Sequence, residues 1–247
     1  MVLFKQSMQA SSRNDSHTHG KSINIPKKIA LLLIFILLNA CATGGGTRID
    51  NIPMYGQPEV ERPAVLKKAD EDFINDAVSG FGSREEASKA WWVQGENFLN
   101  QQNLDFAMRR YNQSWLLDPN NYQPYWGFAR VQIELGKIDN ALFHLEKAES
   151  LIDDDYQKVA LLTDIGNAYT LKGISEASYF AKANIKFKES TELDPTYPDS
   201  WRWWALSLYE QGKYLEASKK VEKAQSLKSR PFPPGFLSKL NIKLSEQ

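Results

Sequence analysis

Few residues in this chain could carry chemistry. It has one cysteine, Cys41, and three histidines, His17, His19 and His144. A thiolate nucleophile needs a base beside it, and a structural zinc site needs several Cys or His ligands at set spacing. Neither pattern is present. Asp153-Asp154-Asp155 lacks the alternating spacing of a calcium loop. Acids placed just before a helix complement its positive end, and that is the reading adopted for this run. Gly44-Gly45-Gly46 is not flanked by the strand and helix of a phosphate loop. No pair of carboxylates stands out as an acid and its base. The expectation is a non-catalytic protein with no cofactor and no metal.

Cys41 has a different context. Lys27-Lys28 precede an unbroken apolar run, Ile29–Leu38. Ten helical residues span about 15 Å, half of what a bilayer core requires. The run has the length of a signal-peptide hydrophobic region behind a basic flank. It ends in Leu38-Asn39-Ala40-Cys41, which resembles the lipobox of bacterial lipoproteins. Asn39 is not the favoured choice at its position. The resemblance implies removal of residues 1–40, a diacylglyceryl group on Cys41 and acylation of the new amino terminus. Several acyl chains hold a protein at a membrane where one does not. Ala42 stands where an aspartate would retain such a lipoprotein at the inner membrane, so the resemblance implies the outer membrane, facing the periplasm. His17 and His19 fall in the discarded part and are not read as ligands.

Whole-chain charge is balanced, with 30 Lys+Arg against 30 Asp+Glu. Residues 1–40 hold Lys5, Arg13, Lys21, Lys27 and Lys28 against Asp15, leaving 25 basic and 29 acidic residues in 41–247. A mildly acidic chain is not a nucleic-acid binder by charge. At 42% hydrophobic it has the composition of a globular protein of one or two domains.

The elements follow in order. Residues 41–63 read as a lipidated flexible tether, with a glycine run and Pro53, Pro58 and Pro63. Ile52, Met54, Tyr55 and Val60 could let it pack along the body. A short helix is expected from about Ala64 to Val78, broken by Gly80 and Gly82, so that 64–82 is a helix and linker. Ser83-Arg84-Glu85-Glu86 fits a capping box and opens the next helix.

From there the chain repeats. Trp91, Gly95, Ala107, Tyr111, Ser114 and Pro119 align, 34 residues on, with Tyr125, Ala129, Ala141, Leu145, Ala148 and Asp153. Leu162, Gly166, Ala183, Phe187, Ser190 and Pro195 form a third unit, with about five extra residues between Gly166 and Ala183. Trp201, Ala205, Ala217, Val221, Ala224 and Ser229 form a fourth. Gly136, Gly173 and Gly212 are expected in the turns between paired helices, and Gln102 takes that place in the first unit. The five extra residues mark either a partner site or a longer helix.

This pattern resembles the tetratricopeptide repeat (TPR), a helix–turn–helix unit of 34 residues. All twelve positions where the family wants a small residue hold Gly, Ala or Ser. The resemblance implies an all-α, right-handed superhelical stack of about four units over 83–229. Segment 230–247 would supply a capping helix through Phe236, Leu237 and Leu240. His144 falls on the second helix of the second unit, in a core or surface role.

The resemblance also implies a concave groove lined by set positions of the first helices. Here those positions are Trp92 and Trp126, then Glu96, Arg130 and Asn167, then Arg202 and Tyr209. On this reading Trp92 and Trp126 stack on a partner segment, while Arg130 and Arg202 pair its acids, since aromatics and arginine dominate interface energies. The alternative is that the tether or neighbouring repeats cover both tryptophans. Thr163 stands where carboxylate-clamping relatives carry a basic residue, so a chaperone-tail clamp is not expected. The partners expected are envelope proteins. The function expected is a membrane-anchored scaffold. Its alternatives are an assembly factor of a pilus or secretion complex, resembling a pilotin, or a peptidoglycan-linked structural protein.

Overall fold

The computed structural model describes residues 49–55 and 63–246. The expected signal peptide, Cys41 and the rest of the expected tether lie outside the described residues. What is described is helical: a 3-10 turn at Ile49–Asn51 and ten α-helices, with no strand among the described residues. They are α1 (Ala64–Phe81), α2 (Arg84–Asn100), α3 (Leu104–Leu117), α4 (Tyr122–Glu134) and α5 (Ile138–Leu151). There follow α6 (Asp155–Ser175), α7 (Tyr179–Leu193), α8 (Pro198–Glu210), α9 (Tyr214–Ser226) and α10 (Phe236–Ser245). The described residues divide into two compact units between Phe128 and Ala129.

In the first unit, α1 continues through Gly80, three residues beyond the expected end at Val78, and stops at Gly82. Gly82 has φ 84°, a left-handed conformation that lets its N–H reach back to the Val78 carbonyl. Ser83 then starts α2, its hydroxyl accepting from the Glu86 N–H at 3.1 Å. Phe73, Ile74 and Phe81 of α1 pack against Ala87, Trp91 and Leu117. Helices α2 and α3 form an antiparallel hairpin. Ser88 near its open end exchanges hydroxyl-to-carbonyl bonds of 2.8 Å with Ser114, and Phe98 meets Phe106 beside the turn. Gln102 at that turn has φ 60°, the conformation that Gly136 and Gly212 adopt at φ 73° in the later turns. An L-residue is strained there and glycine is not.

The hairpin closes on one ring. Tyr111 of α3 is fully buried, and a methyl on Gly95 of α2 would sit 2.3 Å from Cε1 of its ring. A methyl on Gly127 of α4 would sit 2.5 Å from Cδ1 of that same ring.

In the second unit the aspartate run lies at the start of α6, as expected, and Asp154 adds a cap by accepting from the Tyr156 N–H at 2.9 Å. Helix α6 is 21 residues long, against 13 to 17 for the first helices of the other pairs. Gly173 therefore lies inside it and not in a turn. Phe180 packs where a Gly173 side chain would be. The extra residues of the third unit have gone into a longer helix. Helices α6 and α7 run antiparallel with Phe187 against Gly166, where a methyl would lie 2.8 Å from the ring. This repeats the arrangement of Tyr111 and Gly95. A buried hydroxyl seam joins Thr163, Ser190 and Ser200 at 2.6–3.0 Å, tying α6, α7 and α8 together.

The two Asp-Pro turns have the same form. Asp118 Oδ1 accepts from the Asn120 N–H at 2.9 Å, and Asp194 Oδ1 from the Thr196 N–H at 2.8 Å. Helix α10 buries Phe236 and Leu240, whereas Leu237, expected on the same face, is exposed.

His144 is buried on α5, and desolvation pulls its pKa down to about 4. The folded chain thus keeps it neutral, while the unfolded chain takes up a proton below about pH 6.5. Its contribution is complete above that pH and falls away on acidification toward about 4. The expected loss at pH 4 is on the order of 2–3 kcal/mol. His144→Gln should remove that part of the pH dependence. Urea midpoints of both proteins at pH 7 and pH 4.5 measure it; parallel shifts in the two would contradict it.

Candidate functional site

The groove positions predicted from the repeat do not share one environment. Trp92 of α2 is half-buried, and its indole N–H has no hydrogen-bond partner. Trp126 of α4 is buried, with 8% of its surface exposed. It is a packed side chain here and not an open platform. Glu96 is half-buried and accepts from the Tyr111 hydroxyl at 2.6 Å, so it holds the central ring of the first hairpin. Arg130 and Tyr209 are half-buried, and Tyr209 packs edge-on against Phe236 of the capping helix. Desolvation raises its pKa.

Two further expected contacts are corrected. Asn167 has no exposed surface, so a partner cannot reach its amide. Arg202 is 2% exposed. Its Nε and Nη2 donate to the Pro231 carbonyl at 3.2 and 3.1 Å, and its guanidinium lies over Trp203 and Phe232. Burial lowers its pKa to about 10, which leaves it charged at neutral pH. The reason is the chain that follows the last repeat: Ser229–Phe236 returns over the position that the repeat pattern leaves open. Arg230 strengthens the return with a 2.6 Å ion pair to Asp199. Arg202 is therefore an internal clamp.

A polar site not anticipated from the sequence lies on α3. Asn112, 4% exposed, reads the backbone of residues 50–54. Its Oδ1 accepts from the Met54 N–H at 2.8 Å, and its Nδ2 donates to the Ile52 carbonyl at 2.8 Å and the Asp50 carbonyl at 3.2 Å. One turn earlier, Arg109 Nε lies 3.0 Å from both the Asp50 carboxylate and the Asn51 side-chain oxygen. One turn later, Tyr55 sits edge-on to Tyr125 at 4.8 Å and tilted against Trp115 at 6.4 Å. The Trp115 indole N–H donates to the Tyr125 hydroxyl, which donates in turn to the Pro119 carbonyl. Burial raises the Tyr125 pKa. Part of the segment expected as a flexible tether is thus docked. Arg109, Asn112 and Trp115 recur every third residue along α3, a spacing that holds one helical face. The apolar residues of the strap gave a signal, but nothing in the sequence assigns its position on α3.

A second cluster on the α7–α9 side carries no groove position. Trp204 stacks between Phe187 and Trp201, and Lys220 Nζ lies 3.7 Å over the Trp204 ring. Desolvation lowers the Lys220 pKa. These contacts are cation–π packing of the kind that holds helix surfaces together.

No group of three or more His, Cys, Asp or Glu residues that could hold a metal occurs among the described residues. No helix among them is long and apolar enough to cross a membrane. No protein-family model matches this chain, and no curated protein matches it either.

Proposed function

We propose that this chain is a non-catalytic scaffold of the bacterial envelope, built as a right-handed stack of TPR units and anchored by lipid at Cys41. The observation that carries the reading is the ring-on-glycine packing of two hairpins, Tyr111 on Gly95 and Phe187 on Gly166. Close approach of paired helices through small residues is what the repeat needs, and a stacked repeat cannot bury its apolar face alone. The left-handed turn residues and the paired Asp-Pro turns support the same reading. Stacked helical repeats offer extended surfaces, and binding other proteins is the use to which such surfaces are suited.

Trp92 is the groove-position tryptophan with part of its surface open, and Arg130 is the groove-position arginine that is not buried. They are the side chains expected to touch a partner. The test is crosslinking in cells, detergent extraction of the envelope and identification of what co-purifies with the tagged chain. Trp92→Ala and Arg130→Ala should each reduce recovery of a defined partner set at least tenfold with helical content unchanged, because interface aromatics and arginines often contribute 2 kcal/mol or more. Cys41→Ala should release the protein from the membrane. Unchanged partner recovery by both variants would exclude both contacts. Sedimentation of the purified protein with peptidoglycan, with no protein partner captured, would replace the scaffold reading with cell-wall attachment.

A further inference from the structure

We propose that the Arg109–Asn112–Trp115 face of α3 is a peptide-binding site whose ligand is this chain's own segment 49–55, and that its occupancy sets how far the folded body stands from the membrane. The second half rests on the lipid anchor at Cys41; the first does not.

The docking is specific. Asn112 uses both ends of its amide, so it recognises the turn through backbone atoms: one N–H and two carbonyls. An amide buried to this extent is costly unless both its donor and its acceptor are paired, and the strap pairs them. Arg109 adds charge recognition of Asp50 at 3.0 Å with both groups partly shielded. Tyr55 adds ring contacts to Trp115 and Tyr125, and Pro53 is buried. Backbone, charge and aromatic recognition converge on seven residues. That is a ligand site occupied in cis, with alternatives in trans only where a partner offers the same turn.

The position of the strap has a mechanical consequence. A tether running from Cys41 to the start of α1 at Ala64 comprises 23 residue steps. Docking at Ile49 leaves eight steps between the lipidated residue and the body. At about 3.5 Å per residue the longest possible span falls from about 80 Å to about 28 Å. Docked, the strap keeps the first unit beside the bilayer. Released, it lets that unit reach outward.

The experiment uses the full lipidated chain in vesicles of phosphatidylethanolamine and phosphatidylglycerol carrying a headgroup acceptor dye. A donor dye is placed through Asn97→Cys, an exposed position on α2 in the same unit as the strap. Asn112→Ala removes the reader. Met54→Pro removes the strap's own N–H and leaves the body untouched, so it guards against a misfolded α3. Both should raise amide exchange across residues 50–55 at least tenfold. Both should also lengthen the mean donor-to-membrane distance, within the limit of about 50 Å by which the two longest spans differ. Exchange in the unsubstituted chain as fast as in the variants would overturn the docking. Faster exchange with an unchanged distance would overturn the role in standoff. If Cys41 is recovered unacylated, or Cys41→Ala still binds vesicles, the anchor reading fails and standoff with it. The exchange data alone would then still decide the docking.

Discussion

Gly95→Ala is expected to destabilise the unit containing α2 and α3 by about 1–3 kcal/mol, the usual cost of overpacking a core. On an open helix the same change would gain up to about 1 kcal/mol from helix propensity. The sign reverses because of Tyr111. Its ring is fully buried, occupies the volume a Gly95 methyl would need, and is backed on another side by Gly127. Its hydroxyl donates to Glu96 at 2.6 Å, which fixes the ring along its long axis as well. With glycines of two helices against its Cδ1–Cε1 edge and its hydroxyl tip held, the ring has little room to move aside. Tyr111→Leu alone should also destabilise, by about 2–3 kcal/mol, through lost volume and the lost hydrogen bond. The double variant should cost less than the two singles together, by 0.5–3 kcal/mol, since a leucine leaves room for the methyl. Urea denaturation of the four proteins, followed by circular dichroism, closes the cycle. Additive effects would mean that ring and glycine do not set each other's size, and the ring-on-glycine basis of the repeat assignment would fail with them.

The same packing explains how much of the fold the sequence discloses. A 34-residue spacing of large and small residues is visible without coordinates because each pairing depends on residue size. The aromatic or leucine that opens each of the four aligned sets illustrates both success and limit. Trp91, Tyr125 and Leu162 are buried, as the pattern implies. Trp201, at the same position in the last repeat, is only half-buried, and Lys220 and Lys223 lie over its ring. The fully buried tryptophan of that helix is Trp203. A repeat pattern describes a unit with neighbours of its own kind, and the fourth unit is followed by the single helix α10.

The other misplaced residues have causes of their own. Gly173 looks like a turn glycine when residues are counted, yet five added residues extended α6 past it and moved the turn to Glu176–Ser178. Its small size serves Phe180 instead. The strap at 49–55 lies before the repeats, so no period assigns it a partner. Its recognition by Asn112 is through backbone atoms, which leave little trace in side-chain identity. Long-range polar contacts of this kind depend on where two elements meet, and local pattern does not encode that.

Arg202 is where the two sources of inference diverge most, and Arg202→Ala is expected to have the largest structural effect of the groove-position substitutions. A groove arginine would lose a partner and keep its stability. An internal clamp should do the reverse. Removing the side chain takes two charge-assisted hydrogen bonds from the Pro231 carbonyl, each worth about 1.5–3 kcal/mol, and leaves a void between Trp203 and Phe232. A net loss on the order of 3 kcal/mol is expected. Arg202→Lys should restore little, because a lysine lacks the planar fork that spans the carbonyl and both rings. The local consequence is larger than the global one. Freed from Arg202, the segment from Ser229 onward depends on the Asp199–Arg230 ion pair and on the burial of Phe236 and Leu240. A repeat array that loses its cap exposes an apolar face. Trypsin should then cut first at Lys228 in Arg202→Ala, since Pro231 blocks cleavage after Arg230, at a rate that leaves the preceding helices intact, and the shortened product should aggregate. Native-like protease resistance and an unchanged melting temperature, together with loss of partner capture, would return Arg202 to the groove.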